Sequence, residues 1–533
     1  MATRMFGIES EYAVVPIANK GRHVDRDVLL RHLARLIREQ GPHARGLGRC
    51  DTYFANGGRF YVDCGYHPEF CTPECTNPWD VVRYTRAGEK TLADACEHAS
   101  SSTPGTREVG AYKCNVDYSG GGTTWGCHES YLHRAEPAAL AAQLVPHLVS
   151  RVLFTGAGGF NPRSAGIEYT LSPRSAHLRK VISGDSTSGR GIVHTKDEPL
   201  CRGGFHRLHL LCGESLCSEV GSWLKVGTTA IVVAMVEVGL RPADGLELQM
   251  PLAALRTIAG DPTCSATVPT TDGPRVSAIA IQRRYLEAAE AHLGHGFMPP
   301  WAPEVCRSWR ETLDRLAADP AALSQTLDWA IKLDLYRDRA RRRGVEWSAI
   351  RSWNYVVGRL GQDMPQVDGG DQAAGLGADT IQTVLGLDRP VSADVERLGR
   401  YLKRHGLHWD GLRPFLDLRQ ELFEIDFKFG RLGPHGLFEA LDGAGVLSHR
   451  VSGVDNIEHA MNHPPAEGRA RLRGEAILRL AGSRRVWCDW QKLWDGTENR
   501  SLDLSDPFEN SERWRSASNQ DLLVLAAMSD ATP

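Results

Sequence analysis

Glu9 and Glu11 are the first residues of this chain whose type and spacing suggest chemistry. A β-strand points successive side chains to opposite faces, so both carboxylates project from one face and Phe6, Ile8 and Tyr12 from the other. Two crowded carboxylates repel each other unless a cation lies between them. Oxygen ligands of this kind suit Mg²⁺, which usually acts together with nucleotide phosphates. The alternative is an ordinary solvated strand face.

A second stretch alternates in the same way, with Arg59, Tyr61 and Asp63 on one face and Phe60 and Val62 on the other. We therefore expect a second strand that presents polar groups to the same region. Its last polar residue is another carboxylate.

Two prolines follow this strand. Because Pro68 and Pro73 would interrupt a regular ladder, we expect the segment after Asp63 to be an edge strand or a loop. Glu69 and Glu74 in this segment would join the acidic region. Such a cluster can hold a metal ion and leave one carboxylate free as a general base.

The elements that position these residues can be predicted in part. A helix is expected from Asp25, as N-cap, to Gly41, and a second from Pro137 to about Arg151. Residues 205–212 alternate as a strand. Three separated strands with polar groups on one face favour an α+β fold, in which helices back an antiparallel sheet with a polar, ligand-binding concavity.

Composition excludes some classes of function. The 533 residues include 62 basic and 65 acidic side chains, for a net charge of −3, which does not indicate a nucleic-acid-binding protein. We expect no membrane span, because the apolar run 230–236 ends at Glu237 and is more typical of a buried helix. Without a signal-peptide pattern at the N-terminus, the cytoplasm is expected, and the 13 cysteines are expected to be free thiols.

Motifs spread over most of the chain resemble those of the ligase of prokaryotic ubiquitin-like protein (Pup) and of its paralogue, the Pup deamidase/depupylase. The resemblance rests on ordered matches rather than on any single motif. The matching stretches include 7–12, 56–63, 67–75, 113–117, 125–131, 171–174, 195–199, 207–209, 224–228, 281–283, 469–475 and 489–490.

The resemblance implies a glutamine-synthetase-like sheet cradle with a smaller C-terminal domain. On this basis we divide the chain into a catalytic domain (1–343), an insertion of unknown role (344–410), and the end of the core with the small C-terminal domain (411–533). Within the insertion, residues 361–371 carry turn signals, and a helix is expected from about Ser392 to His405.

The resemblance also implies chemistry. ATP phosphorylates the side-chain carboxylate of a C-terminal glutamate on a Pup-like tag, and the resulting acyl phosphate is joined to a lysine of a target protein. Asp63 would act as the base that deprotonates the lysine. The remaining expected site residues are Glu9, Glu11, Glu69 and His209 for Mg²⁺, and Arg207, Arg473 and Trp490 for the nucleotide.

Simpler alternatives exist for several of these residues. His209 and His128 would otherwise be hydrogen-bonded core histidines. Arg473 and its neighbours Arg469 and Arg471 would otherwise form a basic helix face.

Three features favour the ligase over the depupylase: the short segment between Tyr12 and Gly57, the Asp63-to-Glu69 spacing, and Cys127. Residues 72–76 and 227–229 look more like the depupylase. Departures such as Lys196, where the family carries Arg, leave open a divergent ligase that acts on a small-molecule or peptide carboxylate.

Overall fold

The computed structural model describes residues 3–521, apart from 21, 49, 64, 121, 197, 199, 363–392, 484 and 520. The strands are β1 (Phe6–Glu11), β2 (Ala13–Ala18), β3 (His43–Arg45), β4 (Thr52–Phe54), β5 (Arg59–Val62), β6 (Pro68–Cys71), β7 (Thr106–Tyr112), β8 (Cys127–His133), β9 (Gly159–Phe160), β10 (Tyr169–Thr170), β11 (Lys180–Ser183), β12 (Gly191–His194), β13 (His206–Leu210), β14 (Thr267–Val268), β15 (Val276–Ser277), β16 (Val486–Cys488), β17 (Lys492–Asp495), β18 (Arg500–Asp503) and β19 (Trp514–Ser516). The α-helices are α1 (Arg26–Arg38), α2 (Pro78–Ser102), α3 (Pro137–Ser150), α4 (Val152–Thr155), α5 (Glu219–Glu237), α6 (Pro251–Ala259), α7 (Ala278–Glu290), α8 (Ala302–Ala318), α9 (Asp328–Arg342), α10 (Ile350–Gln362), α11 (Ala393–Arg404), α12 (Leu412–Phe429), α13 (Leu437–Gly443), α14 (Ile457–Asn462) and α15 (Gly468–Arg479).

One sheet of 13 strands dominates the described part of the chain, in the order β11-β12-β13-β8-β1-β6-β5-β4-β3-β16-β17-β18-β19. Its strand pairs are antiparallel except for β11 with β12 and β3 with β16. Helices pack behind the sheet, and a large apolar cluster joins them to it. The predicted α+β fold is therefore confirmed.

The prediction of an edge strand or a loop after Asp63 is correct for the turn at residues 65 and 66, but it is wrong for residues 68–71, which form an interior strand. The chain turns back after β5, where the N–H groups of Tyr66 and His67 donate hydrogen bonds to Asp63, and β6 then runs through the middle of the sheet between β1 and β5. Pro68 is tolerated because it is the first residue of the strand, where its missing N–H costs least. The interior position of β6 is what brings Glu69 next to Glu11.

The predicted helices near residues 25–41 and 137–151 are present as α1 and α3. Asp25 caps α1 by accepting a hydrogen bond of 2.9 Å from the N–H of Val28. The apolar run 230–236 lies in α5, which has the length and apolar character to cross a bilayer, but 89% of its most apolar window is buried inside the protein. This burial is typical of a core helix.

The predicted insertion contributes to a second apolar cluster. Trp353 of α10 and Leu402 of α11 pack with Phe415 of α12. The predicted helix at 392–405 is observed as α11, residues 361 and 362 belong to α10, and the remaining predicted turn lies outside the described residues. The division at residues 343 and 410 stays a prediction.

Candidate functional site

A cavity of about 850 Å³ lies against the polar face of the central strands. We call it the central cavity. The predicted site residues that line it are Glu9, Glu11, Asp63, Glu69, Arg207, His209 and Trp490. Strand pairing explains their convergence, because β1 lies between β6 and β8, and β13 follows β8.

Glu9 lies in the first of two groups of possible metal ligands. Its carboxylate, His128 and His209 place one ligand atom each within 4.8 Å of one another. The strand register produces this arrangement, since Glu9 is opposite His128 across the β1–β8 pair. The phenol of Tyr61 also donates a hydrogen bond to Glu9.

Glu11 lies in the second group, with Asp63 and His67. Nδ1 of His67 is 3.5 Å from a Glu11 oxygen and 3.6 Å from an Asp63 oxygen. Burial alone would raise the pKa of Glu11, but the hydrogen bond with His67 and the charges of His128 and Arg174 outweigh it and lower the pKa to about 2. Glu11 is therefore ionised at neutral pH.

The other two glutamates have opposite pKa shifts. Burial favours a raised pKa for Glu9, but interactions with His128 above all hold it well below its usual value. Burial and the neighbouring charges of Glu9 and Glu11 raise the pKa of Glu69 well above its usual value. A divalent cation would relieve this repulsion, and the oxygen-rich donor set fits Mg²⁺.

Arg207 contacts one of the predicted ligands directly. Its Nε donates to the hydroxyl of Ser130 at 3.1 Å, and Nη2 donates to Nδ1 of His209. Burial first, and then the charge of Arg207, hold the pKa of His209 well below its usual value, so the ring is neutral. A neutral imidazole has one nitrogen lone pair, and Arg207 occupies it. His209 can therefore bind a cation only when Arg207 turns away.

The predicted contact of Arg473 with nucleotide phosphate does not fit the structure. Arg473 is completely buried, donates two hydrogen bonds to the carbonyl of Gly57 at 2.6 and 3.0 Å, and forms an ion pair with Glu74. Its guanidinium also lies 4.9 Å from the ring centre of Trp490. Arg469, one helical turn earlier, lines the central cavity and pairs with Glu74 at 2.6 Å.

Trp490 lies in the turn between β16 and β17 and lines the central cavity. Oδ1 of Asp489 accepts from the N–H groups of Gln491 and Lys492 and so fixes this turn. The indole meets Tyr53 edge-on at 5.4 Å. Trp490 is thus a half-buried aromatic wall held from behind by Arg473 and Tyr53.

Sequence reasoning missed some residues that the structure places in the site. Tyr61 had a signal, because the alternation puts it on the same face as Asp63. For His128 the sequence favours a hydrogen-bonded core histidine, although this residue lies in the matching stretch 125–131. His67 begins the matching stretch 67–75, but only the turn geometry after β5 shows that it lies between Glu11 and Asp63.

The chain is similar to known proteins over most of its length. The family described as "Pup-ligase protein" matches residues 4–354 and 393–494. Within the predicted insertion, the unmatched part is thus 355–392.

Two kinds of curated relative are similar to the chain. A Pup–protein ligase from Actinosynnema mirum is 30% identical over 518 residues, covering 95% of this chain and 97% of the relative. A Pup deamidase/depupylase from Mycolicibacterium smegmatis is 36% identical over 325 residues, covering 59% of this chain. The chain spans only 64% of the length of that relative.

Solved structures show the same likeness over a longer span. The Pup ligase PafA in complex with Pup has a TM-score of 0.68 and 25% identity, covering 100% of this chain and 93% of the other. PafA in complex with ADP has a TM-score of 0.63 and 25% identity, covering 97% of both chains. With its fold, its acidic cavity and these matches taken together, the chain belongs to the Pup-ligase family.

Proposed function

We propose that this chain is an ATP-dependent ligase that joins the side-chain carboxylate of a C-terminal glutamate on a Pup-like tag to a lysine amine of a target protein. The observation that carries the proposal is one cavity that holds both acidic groups, Glu9 with its histidines and Glu11 with Asp63. The near full-length similarity to Pup–protein ligases supports it.

In this proposal Glu9, Glu11, Glu69 and His209 hold Mg²⁺, and the structure adds Tyr61 and His128 as close neighbours. Mg²⁺ would supply positive charge over the phosphates of ATP. The three carboxylates fix where that charge lies, because each sits on a strand of the central sheet. Rigid strands limit the motion of the ligands better than loops do.

For the nucleotide we propose Trp490 as a stacking wall and Arg207 as a cation for the transferred phosphate. Arg473 would support this wall from behind rather than touch the nucleotide. Arg469 is the arginine of the same helix that lines the cavity.

Asp63 is proposed as the general base. A lysine ammonium is not a nucleophile, so its proton must pass to a base before the amine attacks the activated carboxylate. The Asp63 carboxylate lines the cavity, and its turn holds it beside Glu11 through His67. The proton would thus end on Asp63 as the new C–N bond forms, while the bond between the carboxyl carbon and the phosphate oxygen breaks and phosphate leaves.

A depupylase or deamidase is the second candidate, because the deamidase relatives share 36% identity where they match. The shorter coverage of those relatives favours the ligase. A divergent ligase for a small-molecule or peptide carboxylate is the third candidate.

We place the protein in the cytoplasm, and expect neither nucleic acid nor membrane as a partner.

The test uses purified protein with Mg·ATP, a lysine-bearing acceptor protein, and Pup ending in either Glu or Gln. ADP release with the Glu form, together with a Pup-sized mass gain on the acceptor, supports the ligase. Conversion of the terminal Gln to Glu without matching ADP supports the deamidase. ADP release with free amino acids and with neither form of Pup would favour the third candidate.

A further inference from the structure

A second cavity, of about 360 Å³, opens between the loop 113–119 and α12. We call it the α12 cavity. The rings of Tyr118, Phe423 and Phe427 form part of its wall, and Phe427 is 37% exposed. The cavity therefore combines an apolar surface with access to solvent.

The α12 cavity adjoins the site described above. Trp125 lines it, and the indole packs against the imidazole of His67 with 5.5 Å between ring centres. His67 in turn lies between Glu11 and Asp63. A chain that entered by the α12 cavity would thus approach the Asp63 end of the central cavity.

Arg419 of α12 is a buried cation that lines this cavity and is only 8% exposed. Its Nε donates a long hydrogen bond of 3.3 Å to the carbonyl of Gly166, and its guanidinium lies 4.3 Å from the ring centre of Phe423. In the part of the chain that the structure describes, it forms no ion pair and its terminal nitrogens have no acceptor. Burial lowers the pKa of Arg419 to about 10.

The carboxylates that line the α12 cavity have partners of their own. They pair as Asp426 with Lys332, Asp117 with Ser119 and Glu424 with Lys428. The indole Nε1 of Trp125 is buried and also lacks an acceptor. A buried arginine without an anion is costly, so two unused donors in one cavity suggest a ligand that brings the acceptor.

We propose that the α12 cavity binds a carboxylate side chain of the tag polypeptide, with Arg419 as its ion-pair partner, Trp125 as a further donor, and Phe423 and Phe427 against a neighbouring apolar side chain. The inference rests on the proposed ligase function. The tag is favoured over the target protein because the tag takes part in every turnover, whereas the surfaces around target lysines differ. A pocket that fits one particular side chain is expected to bind the tag, which is the same in every turnover.

The test compares Arg419→Gln with the wild type, with Arg413→Gln as the matched control. Arg413 lies on the same helix, but it is exposed and pairs with Asp417. Loss of a charge-assisted bond should raise the KM for Glu-ended Pup, and the Kd of labelled Pup measured without ATP, by at least about tenfold. The kcat and the KM for ATP should stay unchanged, and Arg419→Lys should recover part of the affinity.

A second measurement detects binding of Pup in the α12 cavity directly and does not depend on turnover. The protein is labelled with 5-fluorotryptophan, and Trp125→Phe identifies the ¹⁹F signal of Trp125. That signal should shift when Glu-ended Pup is added to the wild type, and not when the same amount is added to Arg419→Gln.

Wild-type Pup affinity in Arg419→Gln, an unmoved Trp125 signal in Pup-bound wild type, or a raised KM for the acceptor protein in place of Pup would each overturn this inference. These outcomes leave the ligase proposal standing, because it is judged by ADP release and acceptor modification in the wild type.

Discussion

The N–H of His67 donates a hydrogen bond of 2.6 Å to Oδ1 of Asp63, and Nδ1 of the same histidine lies 3.6 Å from Oδ2. The four-residue separation of the two is closed by a tight turn in which the N–H of Tyr66 donates to the carbonyl of Asp63 at 3.1 Å. One carboxylate oxygen is thus used to hold the turn, and the other remains directed toward the ring of His67 and the cavity.

Replacement of Asp63 by Asn should abolish ligation, with kcat lower by at least about 100-fold, because the amide cannot accept the lysine proton. The side-chain carbonyl can still accept from the N–H of His67, so the turn should survive. Single-turnover formation of the Pup conjugate measures the effect. Asp25→Asn is the control, since Asn caps a helix as well as Asp does. Near-normal conjugation by Asp63→Asn would refute the role of Asp63 as base.

Replacement of Glu9 by Gln should weaken Mg²⁺ binding by at least about tenfold, because a charged ligand becomes neutral while the hydrogen bond from Tyr61 can persist. Titration calorimetry with Mg²⁺ and a non-hydrolysable ATP analogue measures this directly. Glu39→Gln, at an exposed position on the surface, is the control. Equal Mg²⁺ affinity in Glu9→Gln and wild type would remove Glu9 from the metal site.

Acid should weaken the contact between Glu74 and the helix α15. Burial alone would raise the pKa of Glu74, but Arg473 and Arg469 lower it from 4.5 to about 2. A depressed folded-state pKa gives stability that is complete above about pH 4.5 and is lost as the pH falls toward 2. The shift contributes about 3 kcal/mol to the free energy of unfolding at pH 7, and roughly 2 kcal/mol of this contribution would be lost at pH 3.

Urea unfolding at pH 7 and at pH 3 checks this prediction against Glu74→Gln. The variant should be less stable at pH 7, because it leaves two buried arginines without their carboxylate. It should also lose less stability than the wild type on going to pH 3. The same pH dependence in both proteins would contradict the assignment.

Gly126 should resist replacement even by Ala. A Cβ at this position would lie 2.7 Å from Nε2 of His128 and 2.9 Å from Nη2 of Arg174, so at least one of the two side chains would have to move. We expect Gly126→Ala to lower kcat by about tenfold or more, since a small displacement of a site group is costly. Gly443→Ala, where a Cβ meets open space, should behave as wild type in the same ADP-release assay. Normal activity of Gly126→Ala would show that His128 can move without loss.

Much of the site could be predicted because strand alternation is a simple rule. Because side chains alternate between the two faces of a strand, Glu9 and Glu11 could be assigned to one face, and so could Tyr61 and Asp63, without knowledge of the sheet order. The order itself could not be predicted, because it depends on tertiary pairing. For that reason the interior position of β6 was missed, although Pro68 fits as its first residue.

The helix α15, which carries Arg469, Arg471 and Arg473, shows a second case in which the sequence alone could not predict the contacts. Positions 469 and 473 are one turn apart and share a face, which the sequence indicates. Whether that face meets a ligand or a buried carboxylate depends on Glu74, nearly 400 residues earlier in the chain. Burial of Arg473 could therefore not be inferred from the helix alone.

The strand β16 pairs with β3 through Trp487 and Arg45, so the C-terminal strands continue the sheet that carries Glu9 and Glu69. The wall formed by Trp490 and the floor formed by the carboxylates are consequently parts of a single hydrogen-bonded surface. A hinge motion that separated Trp490 from the carboxylates would have to break backbone hydrogen bonds of the sheet and the ion pairs of Glu74. Substrates should therefore enter and products leave through the mouth of a permanent groove, with turnover paced by side chains and loops at its rim.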